Sequence, residues 1–457
     1  MYSKELAELG FVVFRRQNDN GGMKPHLFIR FKSKDGRLLT FAVDTTRLPA
    51  NQNPPDAYLI THAHSDHYGK SAMLSDKSWC SEETARALEI RYEKTYQGQT
   101  FKTGEIVDIC GVPVQTFDVF HTPGSSAFYW ENELGNSIMV TGDVKDASLL
   151  PKCDVLLTEA SYGDPDDLSC YFKDDISALH HAVLSNVGKR RIAFGAYEFG
   201  KSQKAVSIIR EMGYNGPISM NGKTLSLTES FVSNAGDLIE LGIEDSASYS
   251  VRSATLSFSQ TQITGQINTE PAAPGGVSIQ AAAVAVSVQT SYSAVQVNLA
   301  ESDIDCSSRA DCSSSTVGSS RADDSSGTDC SSRVDDSSGT DGSSTVGSGT
   351  KCGTDDSSDC SICIVPVHEL AMFGRDTQKY VLTCRPDYPF EIIKLSDHLD
   401  VDGLTQMVKN INPRVTIIYH PNKSSRTDRF SKHLIKNGFK AFSINQIQNI
   451  VKNEKLS

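Results

Sequence analysis

No run of about eighteen apolar residues occurs in the chain, so no stretch of it is long and apolar enough to cross a bilayer as a helix. No secretory leader is expected either. The start, Met1-Tyr2-Ser3-Lys4-Glu5-Leu6, has no basic segment followed by an apolar one, and a cytoplasmic protein is expected. Basic charge is in deficit, with a net charge of −12, where nucleic-acid binding normally leaves a basic footprint. The deficit is local, however. Residues 301–360 hold 13 acidic and 4 basic side chains and so carry nine of the twelve net negative charges. The rest is near neutrality, which is compatible with a polyanionic substrate met through divalent cations. Finally, the eleven cysteines show no disulfide framework. Six of them (Cys306, Cys312, Cys330, Cys352, Cys360 and Cys363) lie in or just after the acidic tract. Cys360-Ser361-Ile362-Cys363 is half of a zinc pattern without its other half, and these thiols are read as incidental.

At 457 residues the chain exceeds one ordinary domain. Its first part alternates short strands with turns. Leu27–Phe31 and Leu39–Val43 flank a Lys34-Asp35-Gly36 turn, and Ala57–Ile60 is a short apolar run delivering the chain to His62. Val112–Phe120, Ser137–Thr141 and Val155–Thr158 read as further strands. Ser81 reads as the cap of a helix running to Tyr92, with Glu82 and Glu83 in its first turn. Helices are also expected over Asp174–Val187 and Gly200–Met212, with a strand at Ile192–Phe194 between them. Strand Val415–Tyr419 and a helix near Asp428–Lys436 close the chain. Between these parts the composition shifts. Residues 253–300 are rich in Ser, Thr, Gln and Ala. Ser307, Ser319 and Ser331 then each open a Ser-Ser-Arg-(Ala/Val)-Asp unit at a twelve-residue period, and Ser343 opens a degenerate fourth. Stacking such units would bury almost no large apolar side chain, so a disordered tract is expected rather than a solenoid.

The chemistry is concentrated in His62-Ala63-His64-Ser65-Asp66-His67. Four metal-type ligands in six positions, directly after a strand, can turn toward one point and serve two ions. His121 and Asp143 each follow a strand of the same half, where loops converge on sites in layered α/β folds. A carboxylate such as Asp143 can bridge two ions so that an activated hydroxide attacks phosphorus.

The pattern Asp44, His62-x-His64-x-Asp66-His67, His121, Asp143 resembles the metallo-β-lactamase superfamily. Three later motifs are similar to its nucleic-acid-processing branch, the β-CASP and DNA-ligase-associated exonuclease group. They are Thr158-Glu159-Ala160-Ser161-Tyr162-Gly163-Asp164, Ser396-Asp397-His398-Leu399-Asp400, and Tyr419-His420-Pro421, where the branch usually has Gly in place of the proline. The likeness covers about residues 20–230 and 390–425 of the chain.

The resemblance implies an α/β fold, an αββα four-layer sandwich with a reduced cap. Residues 1–190 would form the first part of the core, 191–250 the cap segment and 251–361 the low-complexity insertion, with 362–457 returning to the core. It also implies two divalent ions, zinc or else manganese. His62, His64, His121 and Asp143 would hold one ion, and Asp66, His67, Asp143 and His420 the other. Asp44 would orient a ligand histidine, and His398 would act as general acid with its pKa raised by Glu159. Lys201, in Phe199-Gly200-Lys201-Ser202-Gln203, and Ser396 would contact substrate phosphate; the usual Glu after Gln203 is Lys204 here. The implied function is hydrolysis of RNA or single-stranded DNA. A homodimer, and protein partners of the low-complexity tract, are left open. Two other readings stand beside this one: a thioester or small phosphoester hydrolase of the same superfamily, and a non-catalytic scaffold acting through the Ser/Asp tract.

Overall fold

Alternating apolar residues along the early strands decide the architecture. In a computed structural model of the protein, described over residues 2–17, 23–45, 54–67, 72–241, 362–421 and 425–446, three sheets form. The first contains β1 (Phe11–Gln17), β2 (Met23–Lys32), β3 (Leu38–Val43), β4 (Ala57–Leu59), β5 (Ser78–Ser81) and β6 (Gln99–Phe101), in that order. The chain then lays down β7 (Ile106–Ile109), β8 (Val112–Asp118), β9 (Ser126–Glu131), β10 (Ser137–Val140) and β11 (Val155–Glu159). A third sheet takes β12 (Ile192–Gly195), β13 (Ile218–Met220), β14 (Leu238–Glu240), β15 (Ile362–Val365), β16 (Gln378–Leu382) and β17 (Glu391–Ile393). The chain returns to the second sheet with β18 (Val415–His420) and β19 (Ala441–Ser443), giving the order β19-β18-β11-β10-β9-β8-β7. The first two sheets are mixed; the third is parallel throughout.

Successive side chains on a strand point to opposite faces, and the second sheet uses both. Ile138, Val140, Val155, Leu157 and Ile417 pack into one core with Leu27, Ile29, Phe31, Phe41 and Val43 of the first sheet. Trp130 joins the two sheets, with ring centroids 5.4 Å from Phe41 and 5.7 Å from Phe31. The intervening residues Met139, Leu156 and Ile418 face the other way, into a core with Leu404, Met407, Val408, Phe430 and Leu434. Each such buried side chain contributes about 1.5–3 kcal/mol.

The helices obey local signals. The helix α1 covers Tyr2–Glu8, and α2 covers Glu82–Tyr92 with the Ser81 hydroxyl accepting the Thr84 N–H at 3.0 Å, as expected of that cap. Next come α3 (Ile176–Asn186), α4 (Lys201–Glu211) and α5 (Gly222–Phe231). The last two, α6 (Val401–Ile411) and α7 (Ser425–Lys436), supply the five side chains just named on the outer face of the second sheet. Among the described residues, no helix is long and apolar enough to cross a membrane.

One boundary differs from the sequence reading. Residues 362–393 were assigned to the returning core, but β15 lies between β13 and β12, and β16 and β17 extend the same sheet. The physical reason is that β15 is buried on both faces and reads only as a buried apolar strand, with nothing to say which sheet it joins. The third sheet is accordingly larger than the segment 191–250 alone would make it. The Ser/Asp-rich tract and Cys360 lie outside the described residues.

Candidate metal centre

Seven strands deliver side chains to one place at or just beyond their carboxyl ends. They are β3 with Asp44, β4 with His62–His67, β8 with His121, β10 with Asp143, β11 with Glu159, β17 with His398 and β18 with His420. Parallel neighbours end on the same edge, which brings the loops after β3 and β4 together, and likewise those after β10, β11 and β18. The backbone meets a special demand where Thr141-Gly142-Asp143 passes Thr61. Gly142 has φ +66°, and a Cβ there would lie 2.6 Å from Thr61 Oγ1. Only glycine allows that approach.

All seven predicted ligands meet. Asp143 Oδ2 is central, 3.3 Å from His67 Nε2, 3.5 Å from His121 Nε2, 3.8 Å from His62 Nε2 and 4.0 Å from His398 Nδ1. His64 Nδ1 lies 3.3 Å from His121 Nε2, and His420 Nε2 lies 3.3 Å from Asp66 Oδ2. Three groups that could hold a cation emerge: His62–His64–His121, His62–His67–Asp143 and Asp66–His67–His420. A fourth, His121–Asp143–His398, shares its members with the first two and the general-acid candidate.

Outer partners fix which nitrogen of each ring faces the centre. A carboxylate only accepts, so Asp44 Oδ2 takes the His67 Nδ1–H at 2.9 Å and leaves His67 Nε2 facing the centre. Asp44 also accepts the Thr61 hydroxyl at 3.0 Å. That hydroxyl has no second proton, so at 2.9 Å it must accept the Nδ1–H of His62, whose Nε2 lone pair then points inward as well. His121 donates Nδ1–H to the Asp397 carbonyl at 3.1 Å with the same result. Asp44 itself adopts φ 45°, a left-handed conformation that Asp tolerates, and accepts the Tyr419 hydroxyl at 3.0 Å. Thr61, Tyr419 and Asp397 escaped the sequence reading as parts of this apparatus. Each adjoins a residue that was singled out, which is the one signal that could have found them.

Electrostatics suit cation binding. Burial, reinforced by neighbouring imidazoles, holds His62, His121 and His420 well below the usual histidine range, so they are neutral. Burial does the same for His64, helped by the Arg91 guanidinium. His67 is the exception: burial opposes its charge, but Asp143, Asp66 and Asp44 outweigh it and hold it well above that range. Burial pushes Asp143 upward, and Glu159 adds to it, although His67 and His398 pull the other way. His62 Nε2, His64 Nε2 and Asp143 Oδ1 are buried without a hydrogen-bond partner. Each such atom costs about 1–3 kcal/mol if nothing meets it. A divalent cation would satisfy all three, so these residues fit one.

Beside this cluster, His398 Nδ1 lies 3.0 and 2.9 Å from the two Glu159 oxygens. Burial alone would lower the His398 pKa, but the Glu159 charge and hydrogen bond overcome it and raise it to about 10. Burial conversely opposes charge on Glu159, yet His398 and the N–H groups of Val144 (2.7 Å) and Ser161 (3.1 Å) keep its carboxyl below the usual range. The pair therefore carries a proton on His398. Lys201 and Ser396 stand elsewhere than a phosphate contact requires. Both are fully buried: Lys201 Nζ lies 3.4 Å from Asp397 Oδ1, and the Ser396 hydroxyl bonds the His398 backbone, accepting its N–H at 3.0 Å.

No family model matches the chain. It is similar to an RNase J-like protein of Methanocaldococcus jannaschii, 24% identical over 244 residues that cover 45% of this chain and 57% of that protein. It is also 24% identical over 236 residues to the DNA cross-link repair protein pso2/snm1 of Schizosaccharomyces pombe, covering 48% of this chain and 41% of that one. A 92-residue stretch is 35% identical to the DNA cross-link repair 1A protein of Mus musculus, covering 20% and 9%. The chain thus spans less than two thirds of the length of these curated relatives. These likenesses, to an RNase J-like protein and to DNA cross-link repair proteins, agree with the resemblance of the chain's motifs to the nucleic-acid-processing branch of the metallo-β-lactamase superfamily.

Proposed function

We propose that the protein is a metal-dependent phosphodiesterase that hydrolyses RNA or single-stranded DNA. The observation that carries this reading is the His398–Glu159 pair set against Asp143, because a protonated imidazole beside a cation cluster is what departure of an alkoxide requires. The relatives, an RNase J-like protein and DNA cross-link repair proteins, support the substrate class.

In this reading the two facing sheets with helices outside them are the αββα sandwich, and the third sheet is the cap. His62, His64, His121 and Asp143 would hold one divalent ion, and Asp66, His67, Asp143 and His420 the other. The two ions, zinc or manganese, would supply Lewis-acid activation of water and neutralise charge developing on the phosphoryl group. Asp44 orients His67 directly and His62 through Thr61. His398 releases its proton to the leaving oxygen, and Glu159 holds the ring so that its other nitrogen is the one presented.

The test is an end-label assay on the full chain with 5′- and 3′-labelled RNA and DNA strands. Cleavage that a chelator abolishes, and that Zn²⁺ or Mn²⁺ restores, is the expected outcome; the ladder then gives nucleic acid type and polarity. Metal-loaded protein that leaves every strand intact while hydrolysing a thioester or a small phosphoester would overturn it.

A further inference from the structure

Lys201 opens α4 of the third sheet, yet its ammonium is fully buried against the equally buried Asp397, 3.4 Å away, with the Tyr197 ring 5.0 Å from Nζ. A buried ion pair is a poor source of stability, because desolvating both charges offsets their attraction. Its location suggests another use. Asp397 lies between Ser396 and His398, and its carbonyl accepts the Nδ1–H of His121. One turn further along α4, Lys204 donates to the Ser396 carbonyl at 2.9 Å and to Asp174 Oδ2 at 2.8 Å, while Asp174 Oδ1 accepts the Ser396 N–H at 2.7 Å. On the far side Leu399 N–H reaches the Val144 carbonyl at 2.7 Å, next to Asp143. The loop that carries His398 and steadies His121 is thus gripped from α4 on one side and from the Asp143 turn on the other.

We propose that Lys201 and Asp397 are positioning residues, a buried strut by which the third sheet sets the placement of His121 and His398 at the metal centre. This rests on the reading of that centre given above. The strut acts through the Asp397 backbone: with the carboxylate tied to Lys201, the carbonyl stays aimed at His121 Nδ1, which keeps the His121 Nε2 lone pair turned to Asp143. Neither side chain touches substrate.

The experiment compares wild type with Lys201→Met, Lys201→Arg and the double variant Lys201→Met/Asp397→Asn, each as the full chain. Zn²⁺ affinity is read by competition with a chromophoric chelator, the melting temperature by calorimetry, and kcat and KM on a labelled strand. The expected result is a loss of about 10–100-fold in Zn²⁺ affinity for Lys201→Met, as for other groups that orient a ligand, with kcat falling more than KM rises. Lys201→Arg should recover part of both. The double variant removes both buried charges, so it should regain the melting temperature but not the metal affinity or kcat; it also serves if Lys201→Met alone fails to fold. A double variant that regains all three would show mere charge compensation and overturn the strut. Unchanged Zn²⁺ affinity in every variant, with normal uptake by wild type, would overturn it equally. If wild type itself takes up no Zn²⁺, the metal-centre reading fails first and the strut with it.

Discussion

The turn His62–His67 and the loop Ser396–Asp400 both bring histidine to the same cluster, but they are held in different ways. The first leaves β4 and is fixed by neighbours from its own sheet: Asp44 at the end of β3 accepts from Thr61 and His67. The second leaves a short edge strand of the third sheet and is held by charged side chains from α4 and by Asp174. The difference teaches that the His62–His67 ligands are fixed largely by Asp44 of the same sheet, whereas the placement of the proton donor, and of His121 through the Asp397 carbonyl, depends on the loop gripped from the third sheet. A change near His62 should therefore act on metal retention, and loss of the His398 side chain itself on turnover.

Asp143 belongs to both regions, so its loss should break the comparison altogether. Asp143→Ala removes the oxygen around which His62, His67, His121 and His398 gather. Metal content should fall, and turnover should drop by about 10³-fold or more, the equivalent of several kcal/mol of lost transition-state stabilisation. Elemental analysis beside a nuclease assay checks both.

His398→Ala should separate the regions. The ligand cluster keeps its seven members, so metal content stays at the wild-type level while kcat falls by about 10²–10⁴-fold. Loss of metal in parallel with kcat would mean that His398 serves as a ligand, as its 4.0 Å distance from Asp143 permits. Asp44→Asn gives the opposite pattern on a smaller scale. It weakens the acceptor for His67 and Thr61, so metal affinity should fall about 10–100-fold, with kcat largely restored at saturating Zn²⁺.

These contrasts mirror what the sequence made legible. The metal cluster was readable because its signal is local and chemically extreme: four metal-type ligands in six residues, then His121 and Asp143 each just past a strand. Helix α2 was readable from Ser81, Glu82 and Glu83. Helix α6 could have been read, since Val401, Leu404, Val408 and Ile411 fall on one face behind the Asp400 cap, but the histidine motif drew attention to the preceding loop. The burial of Lys201 was not legible for a physical reason. A lysine after glycine at a helix start reads as a phosphate site, and its burial depends on Asp397, almost two hundred positions away, which no local pattern announces. The membership of β15–β17 in the third sheet is likewise a matter of long-range pairing.

The gentlest test lies on the His121 side, where β8 ends. Asp118 accepts the Phe120 N–H at 2.7 Å, yet burial, with Glu83 and Asp146 nearby, pushes its pKa up to about 6 from 3.8. A carboxyl raised in the folded state binds its proton more tightly there than in the unfolded chain. Its favourable contribution is therefore complete below pH 3.8 and is lost as pH rises through about 6. Asp118→Asn keeps an acceptor for Phe120 without that ionisation, so the decline in stability over this interval should flatten. Urea denaturation at a series of pH values, on metal-free protein so that ligand protonation does not intrude through bound ions, reads the slope. A variant whose stability falls as steeply as wild type between pH 4 and 6 would place the raised carboxyl elsewhere and free Asp118 from this role.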